Sequence, residues 1–121
     1  MSGARNAQAI AVRNDRFRGA LCRRLEAPGD LPGRLVLTSG VARLQPDLLY
    51  KVLARVACFQ DFTEANDPYC EHDFGSFDLE GIGSLFWKID RYADACCRLG
   101  SDNADGARSH RVLTIMLADE Y

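Results

Sequence analysis

The sequence predicts a single α+β domain, residues 1–121, in which an antiparallel sheet of about four strands carries two helices on one side. Three patterns predict it: helical spacing of apolar residues in two segments, period-two alternation between residues 73 and 92, and a β-branched run near the C-terminus. The 121 residues are 47% hydrophobic and 26% charged, which is typical of one globular domain. A chain of this length buries roughly two-thirds of its unfolded surface, so its core needs no disulfide or metal.

The first helix is predicted over residues 4–25. Its apolar residues recur at spacings of seven and four, and the arginines fall mostly elsewhere, so one side is apolar and the other basic. The prolines and glycines of residues 28–33 end this helix, because proline cannot continue the hydrogen-bond ladder. The apolar set is Ile10, Phe17, Leu21 and Leu25.

A short strand is predicted at residues 35–38, closed by Ser39-Gly40. A second helix follows from Pro46 to about Phe59, because proline suits the first helical turn and Asp47 complements the positive end of the helix dipole. The buried stripe of this helix is predicted to be Leu49, Val52, Leu53, Val56 and Phe59.

The clearest local prediction is a β-hairpin from about Asp73 to Tyr92 that turns through Gly81-Ile82-Gly83. A three-residue turn with Gly83 at positive φ places Glu80 opposite Ser84. One face then carries the pairs Leu79–Leu85, Phe77–Trp87, Gly75–Ile89 and Asp73–Arg91. The other face carries Phe74, Ser76, Asp78, Phe86, Lys88 and Asp90.

The apolar run at residues 112–117 suits a strand that is covered on both faces, with a buried helix as the alternative. A polar loop is predicted before it, over residues 98–110. The predicted sheet contribution to the core is Phe77, Leu79, Leu85, Trp87, Ile89, Leu113, Ile115 and Leu117.

The cysteines indicate a reducing compartment. An odd number of cysteines with no CxxC pair argues against a disulfide framework and against a zinc ribbon. No signal peptide and no apolar run long enough to span a membrane is present, so we expect a cytoplasmic protein with no membrane association. Neighbouring Cys96 and Cys97 are interpreted as space-filling residues, and a redox role for them stays open. The five cysteines of the chain are Cys22, Cys58, Cys70, Cys96 and Cys97.

The net charge of −2 excludes a generally basic nucleic-acid binder and a polyanionic tail. The charges are nevertheless separated along the chain. Residues 1–55 contain ten basic and four acidic side chains, whereas residues 56–87 contain seven acidic side chains and no basic one. Residues 88–121 contain five basic and six acidic side chains.

Two strings, Glu71-His72-Asp73-Phe74-Gly75 and Phe86-Trp87-Lys88-Ile89-Asp90, are the most distinctive of the chain. With further segments, they resemble a bacterial domain family of unknown function, associated with alphaproteobacteria, from about residue 12 onward. The resemblance implies no reaction, cofactor or catalytic residue, and Cys70 stands where it leads us to expect a small residue. The further segments are Asn14-Asp15, residues 36–41, residues 59–62, Asn66-Asp67-Pro68 and residues 111–121.

The strongest candidate for chemistry is Glu71-His72-Asp73, because carboxylates and imidazole carry out general acid–base catalysis and bind metals. If the strand begins at residue 71, His72 points away from the two carboxylates, so all three cannot hold one ion. His72 could instead meet Asp90 or Tyr92 across the hairpin, or Asp67 and Glu71 could fold back together from the loop. A structural, hydrogen-bonded histidine is the alternative interpretation.

The acidic stretch predicts a surface for a basic protein partner, for example a nucleic-acid-binding protein. The candidate contact residues are Asp67, Glu71, Asp73 and Asp78. The alternative is a solvated face that pairs with the arginines of the first helix. No calcium-loop spacing is present, and no metal site is predicted.

The arginines of the first helix could contact nucleic acid directly, but a slightly acidic chain makes this an unfavoured interpretation. We therefore expect a small cytoplasmic protein that binds a macromolecule through its acidic surface, as an accessory or inhibitor protein (for example anti-defence) of a mobile element. The alternative is a small enzyme or metal-binding protein that uses Glu71, His72 and Asp73. No cofactor is predicted, and the partner and the oligomeric state do not follow from the sequence.

Overall fold

A computed structural model describes residues 2–92 and 109–121 of the chain. The predicted loop at residues 98–110 lies almost entirely outside the described residues, as do Cys96 and Cys97. The helices are α1 (Ser2–Arg24), α2 (Ser39–Ala42) and α3 (Pro46–Ala57), and a 3-10 turn covers Ala118–Glu120. The strands are β1 (Gly33–Leu37), β2 (Phe74–Leu79), β3 (Gly83–Tyr92) and β4 (His110–Leu117).

The four strands form one sheet in the order β1-β4-β3-β2, with α1 and α3 in contact with each other. The β2–β3 and β3–β4 pairs are antiparallel, but β1 and β4 are parallel, so the sheet is mixed. The prediction of a purely antiparallel sheet was therefore wrong. Two strands joined by a tight turn must be antiparallel. β1 and β4 are joined by a long connection that includes helices, so they can pair in parallel.

The core lies between the sheet and the helices. Phe17 and Leu21 of α1 and Val52 and Val56 of α3 pack against the same face of the sheet, on which Trp87 is fully buried. The predicted sheet residues all belong to this core, with Leu79 and Leu117 at its edge.

β4 is buried on both faces, as its continuous apolar sequence predicts. Leu113 and Ile115 are fully buried on the helix side, and Val112 and Met116, which alternate with them, are also buried. This central position between β1 and β3 explains why the strand is apolar on both faces from Val112 to Leu117, apart from Thr114.

The hairpin faces are as predicted, but the register is shifted by two residues. Leu79 pairs with Gly83, and Gly75 pairs with Trp87. The chain turns one residue earlier than expected, because the Ile82 amide donates to the Leu79 carbonyl (3.0 Å) around Gly81, whose φ is +88°. A Cβ on Gly75 would lie 2.5 Å from Nε1 of Trp87, so the indole requires a glycine opposite it.

Three further details differ from the predictions. Leu25 is 67% exposed with a φ of 58°, because it ends α1 in the left-handed conformation instead of joining the core. Ser39 and Gly40 begin the short helix α2, which the sequence analysis missed. Asp73 precedes β2, and its carbonyl accepts from the Ile89 amide (2.9 Å), so the predicted pair with Arg91 does not form in the ladder.

Within the described part of the chain, no helix is long and apolar enough to cross a membrane.

Candidate functional site

The site begins with a polar side chain on the buried side of α1. Asn14 is fully buried, and its Nδ2 donates to the carbonyl of Glu71 (2.9 Å). Its Oδ1 accepts from Nε of Arg111 (2.8 Å), a β4 residue that is also fully buried. Because buried polar groups need partners, these two bonds fix α1 against both the loop before β2 and the central strand.

Arg18 lies one turn further along α1 and is only 3% exposed. Its Nε donates to the Val56 carbonyl (2.9 Å) and its Nη2 to the Phe59 carbonyl (3.3 Å) at the C-terminal end of α3, where a helix dipole favours a cation. The guanidinium stacks 4.7 Å above the Trp87 ring. Burial lowers the pKa of Arg18, and the Asp15 carboxylate, which accepts from Nη1 (3.1 Å), opposes that shift.

Asp67 holds the loop that follows α3 in one conformation. The carboxylate is buried, and its Oδ1 accepts from the amides of Glu71 (3.0 Å) and His72 (3.1 Å). Cys70 and His72 have φ values of 58° and 55°, a left-handed conformation that costs roughly 1–2 kcal/mol per residue for side chains with a Cβ. The Asp67 hydrogen bonds offset this cost and fix the direction of the His72 side chain.

His72 is held on three sides. Its Nδ1 lies 3.0 and 3.1 Å from the two carboxylate oxygens of Asp15. Its ring stacks on Phe62 with centroids 3.9 Å apart and planes 1° apart, and Nε2 lies 3.8 Å from Oδ2 of Asp67. Both ring nitrogens of His72 therefore lie beside carboxylates, Nδ1 beside Asp15 and Nε2 beside Asp67.

Asp15 and His72 form the wall between two clefts. The first cleft, which we call the groove, has a volume of about 550 Å³ and lies between α1 and residues 68–70. Its lining is mainly apolar, and two of its side chains are well exposed, Val12 at 55% and Tyr69 at 77%. The second cleft, about 570 Å³, lies toward the end of α3 and includes Arg18.

The structure brings His72 to Asp15 and Asp67, rather than to the carboxylates beside it in sequence. The Glu71 carboxylate lies 3.9 Å from Nη2 of Arg91. Asp73 is half-buried, and burial together with the nearby Asp67 carboxylate raises the pKa of Asp73.

The predicted partner Asp90 lies on the other face of β3, where Lys88 is its ion-pair partner at 3.2 Å. Residues 71–73 precede the strand, so the alternation of side chains assumed for them does not apply.

The four predicted partner-binding carboxylates occupy different environments. Asp67 is buried, Glu71 and Asp73 are half-buried, and Asp78 is exposed on the outer face of β2, where its carboxylate accepts from the hydroxyl of Ser84. Of these four, Asp78 alone presents its carboxylate fully to solvent.

Among the described residues, no group of three His, Cys, Asp or Glu side chains is arranged to hold a metal ion. Asp15, Asp67 and His72 form a polar cluster, in which Nδ1 of His72 contacts Asp15 and Nε2 lies 3.8 Å from Asp67. This cluster can orient an imidazole or receive a cationic group, since two carboxylates flank one ring.

Three buried polar residues are not among the predicted site residues: Asn14, Arg18 and Arg111. One signal was present: Ile10, Asn14, Phe17 and Leu21 are spaced by four, three and four, so Asn14 occupies a position of the apolar stripe. A polar residue at such a position needs a buried partner. No comparable local signal identifies Arg111 as that partner, 97 residues away.

Comparison with known proteins identifies a family but no activity. The family model described as "Protein of unknown function (DUF3768)" matches residues 37–120. That match includes Asp67, His72, Trp87 and Arg111, and it leaves out α1. No curated protein matches the chain, and no solved structure does so either. Because the match spans more than half of the chain, the protein belongs to this family of unknown function, DUF3768.

Proposed function

We propose that this protein binds a basic segment of another protein in the groove beside His72. The observation that carries the proposal is the pair of exposed apolar side chains, Val12 and Tyr69, which line one groove that ends at the Asp15 carboxylate. Exposed apolar groups grouped in a concave site are typical of binding sites rather than of ordinary surface.

Charge complementarity specifies the chemistry of the partner. The stretch from residue 56 to residue 87 contains no Lys or Arg, and Asp61 and Glu64 are exposed on the loop that also carries Tyr69. Asp15 keeps 42% of its side chain exposed although it contacts His72. A partner segment with an apolar side chain next to Lys or Arg would fill the groove and place its charge at Asp15.

The buried position of Asp67 refines the expected acidic surface. Its carboxylate holds the amides of Glu71 and His72, so we assign Asp67 to positioning the loop. We assign the half-exposed Asp15 and the exposed Asp61 and Glu64 to contact. We expect a cytoplasmic protein of bacterial origin that acts by binding to its partner protein. An accessory or inhibitor protein of a mobile element acts in this way.

A selection from a library of random peptides tests the proposal. Full-length protein is immobilised, bound peptides are sequenced, and the most enriched peptide is titrated by fluorescence anisotropy. We expect enrichment of Lys or Arg beside an aliphatic or aromatic residue. Tyr69→Ala should weaken the binding of the enriched peptide about tenfold or more, because exposed tyrosines are common interface anchors.

Tyr50→Ala is the matched control, because Tyr50 is also a well-exposed tyrosine (74%) but lies on α3, away from the groove. Enrichment of acidic peptides, or equal weakening by Tyr69→Ala and Tyr50→Ala, would contradict the proposal. Asp15→Asn should weaken basic peptides more than a neutral peptide with the same apolar residue.

The second candidate function is general acid–base catalysis by His72. The contact between Nδ1 and both oxygens of Asp15 favours it, because a carboxylate in that position orients an imidazole. Turnover of p-nitrophenyl acetate or p-nitrophenyl phosphate that His72→Gln abolishes would support this candidate. Equal turnover by wild type and His72→Gln, or none by either, would count against it for these substrate classes.

A further inference from the structure

A third cleft, opposite in charge to the groove, lies at the C-terminal end of α1. It has a volume of about 460 Å³, and three arginines line it: Arg16, Arg23 and Arg24. The opposite wall is the chain that returns after α1 ends, at residues 26–29. Glu26 is the one carboxylate among its lining residues, so the cleft is positively charged.

Two small residues create the space between the arginines. Arg16, Gly19, Ala20 and Arg23 are spaced by three, one and three, so they lie along one side of the helix. Arg16 and Arg23 are two turns apart, a rise of roughly 10 Å. Gly19 and Ala20 therefore form a shallow floor, with the Arg16 guanidinium at one end and the Arg23 guanidinium lying over Gly19.

Both of these guanidinium groups have defined positions. Asp30 accepts from Nη1 and Nη2 of Arg16 at 3.1 and 3.0 Å, which orients the planar group at the cleft. The Arg23 guanidinium leans back over Gly19, where an added Cβ would lie 2.5 Å from its Nη1. Nη2 of Arg23 donates to Sγ of Cys58 (4.0 Å), and within the described part of the chain the ion pairs include none for Arg23 or Arg24.

We propose that this cleft binds a phosphate group of a small anionic ligand. Guanidinium groups form paired, charge-assisted hydrogen bonds with phosphate oxygens, and Arg23 and Arg24 have donors available for them. Two of the five N–H donors of Arg16 are bonded to Asp30, so Arg16 supplies positive charge and the three N–H donors that remain. This site is independent of the groove and of the proposed protein partner.

Titration of full-length protein with pyrophosphate and with inorganic phosphate, followed by ¹H–¹⁵N NMR at low salt, tests the site. We expect saturable shifts at Arg16, Gly19, Ala20 and Arg23. Arg23→Gln should weaken pyrophosphate binding about tenfold or more. Arg43→Gln is the matched control, because Arg43 is also exposed but follows α2.

Gly19→Ala is the most informative variant, because it keeps every charge of the cleft and displaces the Arg23 guanidinium. Alanine favours a helix more than glycine does, so the thermal midpoint of the folded variant should hold or rise while its affinity for pyrophosphate falls. Such a result cannot come from unfolding.

Three outcomes would overturn the proposal. The first is the absence of saturation up to about 10 mM pyrophosphate. The second is equal weakening by Arg23→Gln and Arg43→Gln, which indicates attraction to net charge alone. The third is preference for an unphosphorylated single-stranded oligonucleotide with steep salt dependence, which indicates a nucleic-acid surface instead.

Discussion

The two sides of α1 use the same residue type in opposite ways. Arg18 is buried, and its donors are taken up by two main-chain carbonyls and Asp15. Arg16, two residues earlier, is exposed and forms a forked pair with Asp30. Burial therefore makes Arg18 part of the framework, whereas exposure leaves Arg16 available to a ligand.

The largest expected effect is on stability when Arg18 is removed. Arg18→Ala should lower the free energy of unfolding by about 3 kcal/mol, since it strips partners from buried carbonyls and removes the stack on Trp87. Arg16→Ala should leave the urea midpoint within error, because exposed ion pairs contribute little. Equal midpoints for the two variants would contradict the distinction between the two sides.

A cysteine on the same helix gives a second contrast. Burial raises the pKa of the Cys22 thiol to about 12, whereas Cys58 and Cys70 are exposed. Since the thiolate is the reactive form, iodoacetamide at pH 8 should modify Cys22 about a hundredfold more slowly than Cys70. Peptide mapping by mass spectrometry measures each rate, and comparable rates would show that this side of α1 opens readily.

Asn14→Ala should have a smaller effect than Arg18→Ala. The substitution leaves the Nε of Arg111 without its acceptor and frees the Glu71 carbonyl, at a cost of about 2 kcal/mol. Urea unfolding measures this loss. Asn14→Asp is the informative companion, because a carboxylate keeps the acceptor for Arg111 and loses the donor to Glu71. A midpoint for Asn14→Ala equal to wild type would show that this link is dispensable.

The smallest expected effect is at Asp73 and depends on pH. Burial and Asp67 raise the pKa of Asp73, so the folded state disfavours its charged form at neutral pH. Asp73→Asn should therefore raise stability slightly at pH 7. The gain should shrink as the pH falls through the raised folded pKa toward 3.8, because Asp73 is protonated first in the folded state and, below 3.8, in both states. A gain that is constant between pH 7 and pH 4 would exclude this cause.

Local patterns predicted local structure well. Alternation along residues 73–92 identified both faces of the hairpin, but a shift of two residues preserves every face, so alternation alone cannot fix the register. The contact of Gly75 with the Trp87 indole distinguishes the two registers, and it exists only in three dimensions.

The candidate site was predicted less completely because it joins distant segments. His72 was identified as a candidate, yet its partner Asp15 is 57 residues away, and Arg111 lies 97 residues from Asn14. The separation of basic and acidic residues along the chain was visible in the sequence, but the ion pairs were not. Arg16 pairs with Asp30 and Arg18 with Asp15, so both ion pairs lie within the first 55 residues.

The parallel pairing of β1 with β4 has a consequence for the order of folding. Gly33 pairs with Arg111, so the two strands meet only after a loop of nearly 80 residues closes. Such distant pairing raises the contact order and slows folding. During synthesis on the ribosome, β1 has no partner strand from the described sheet until β4 has been made. The apolar sides of α1 and β1 therefore cannot complete their packing until β4 enters the middle of the sheet.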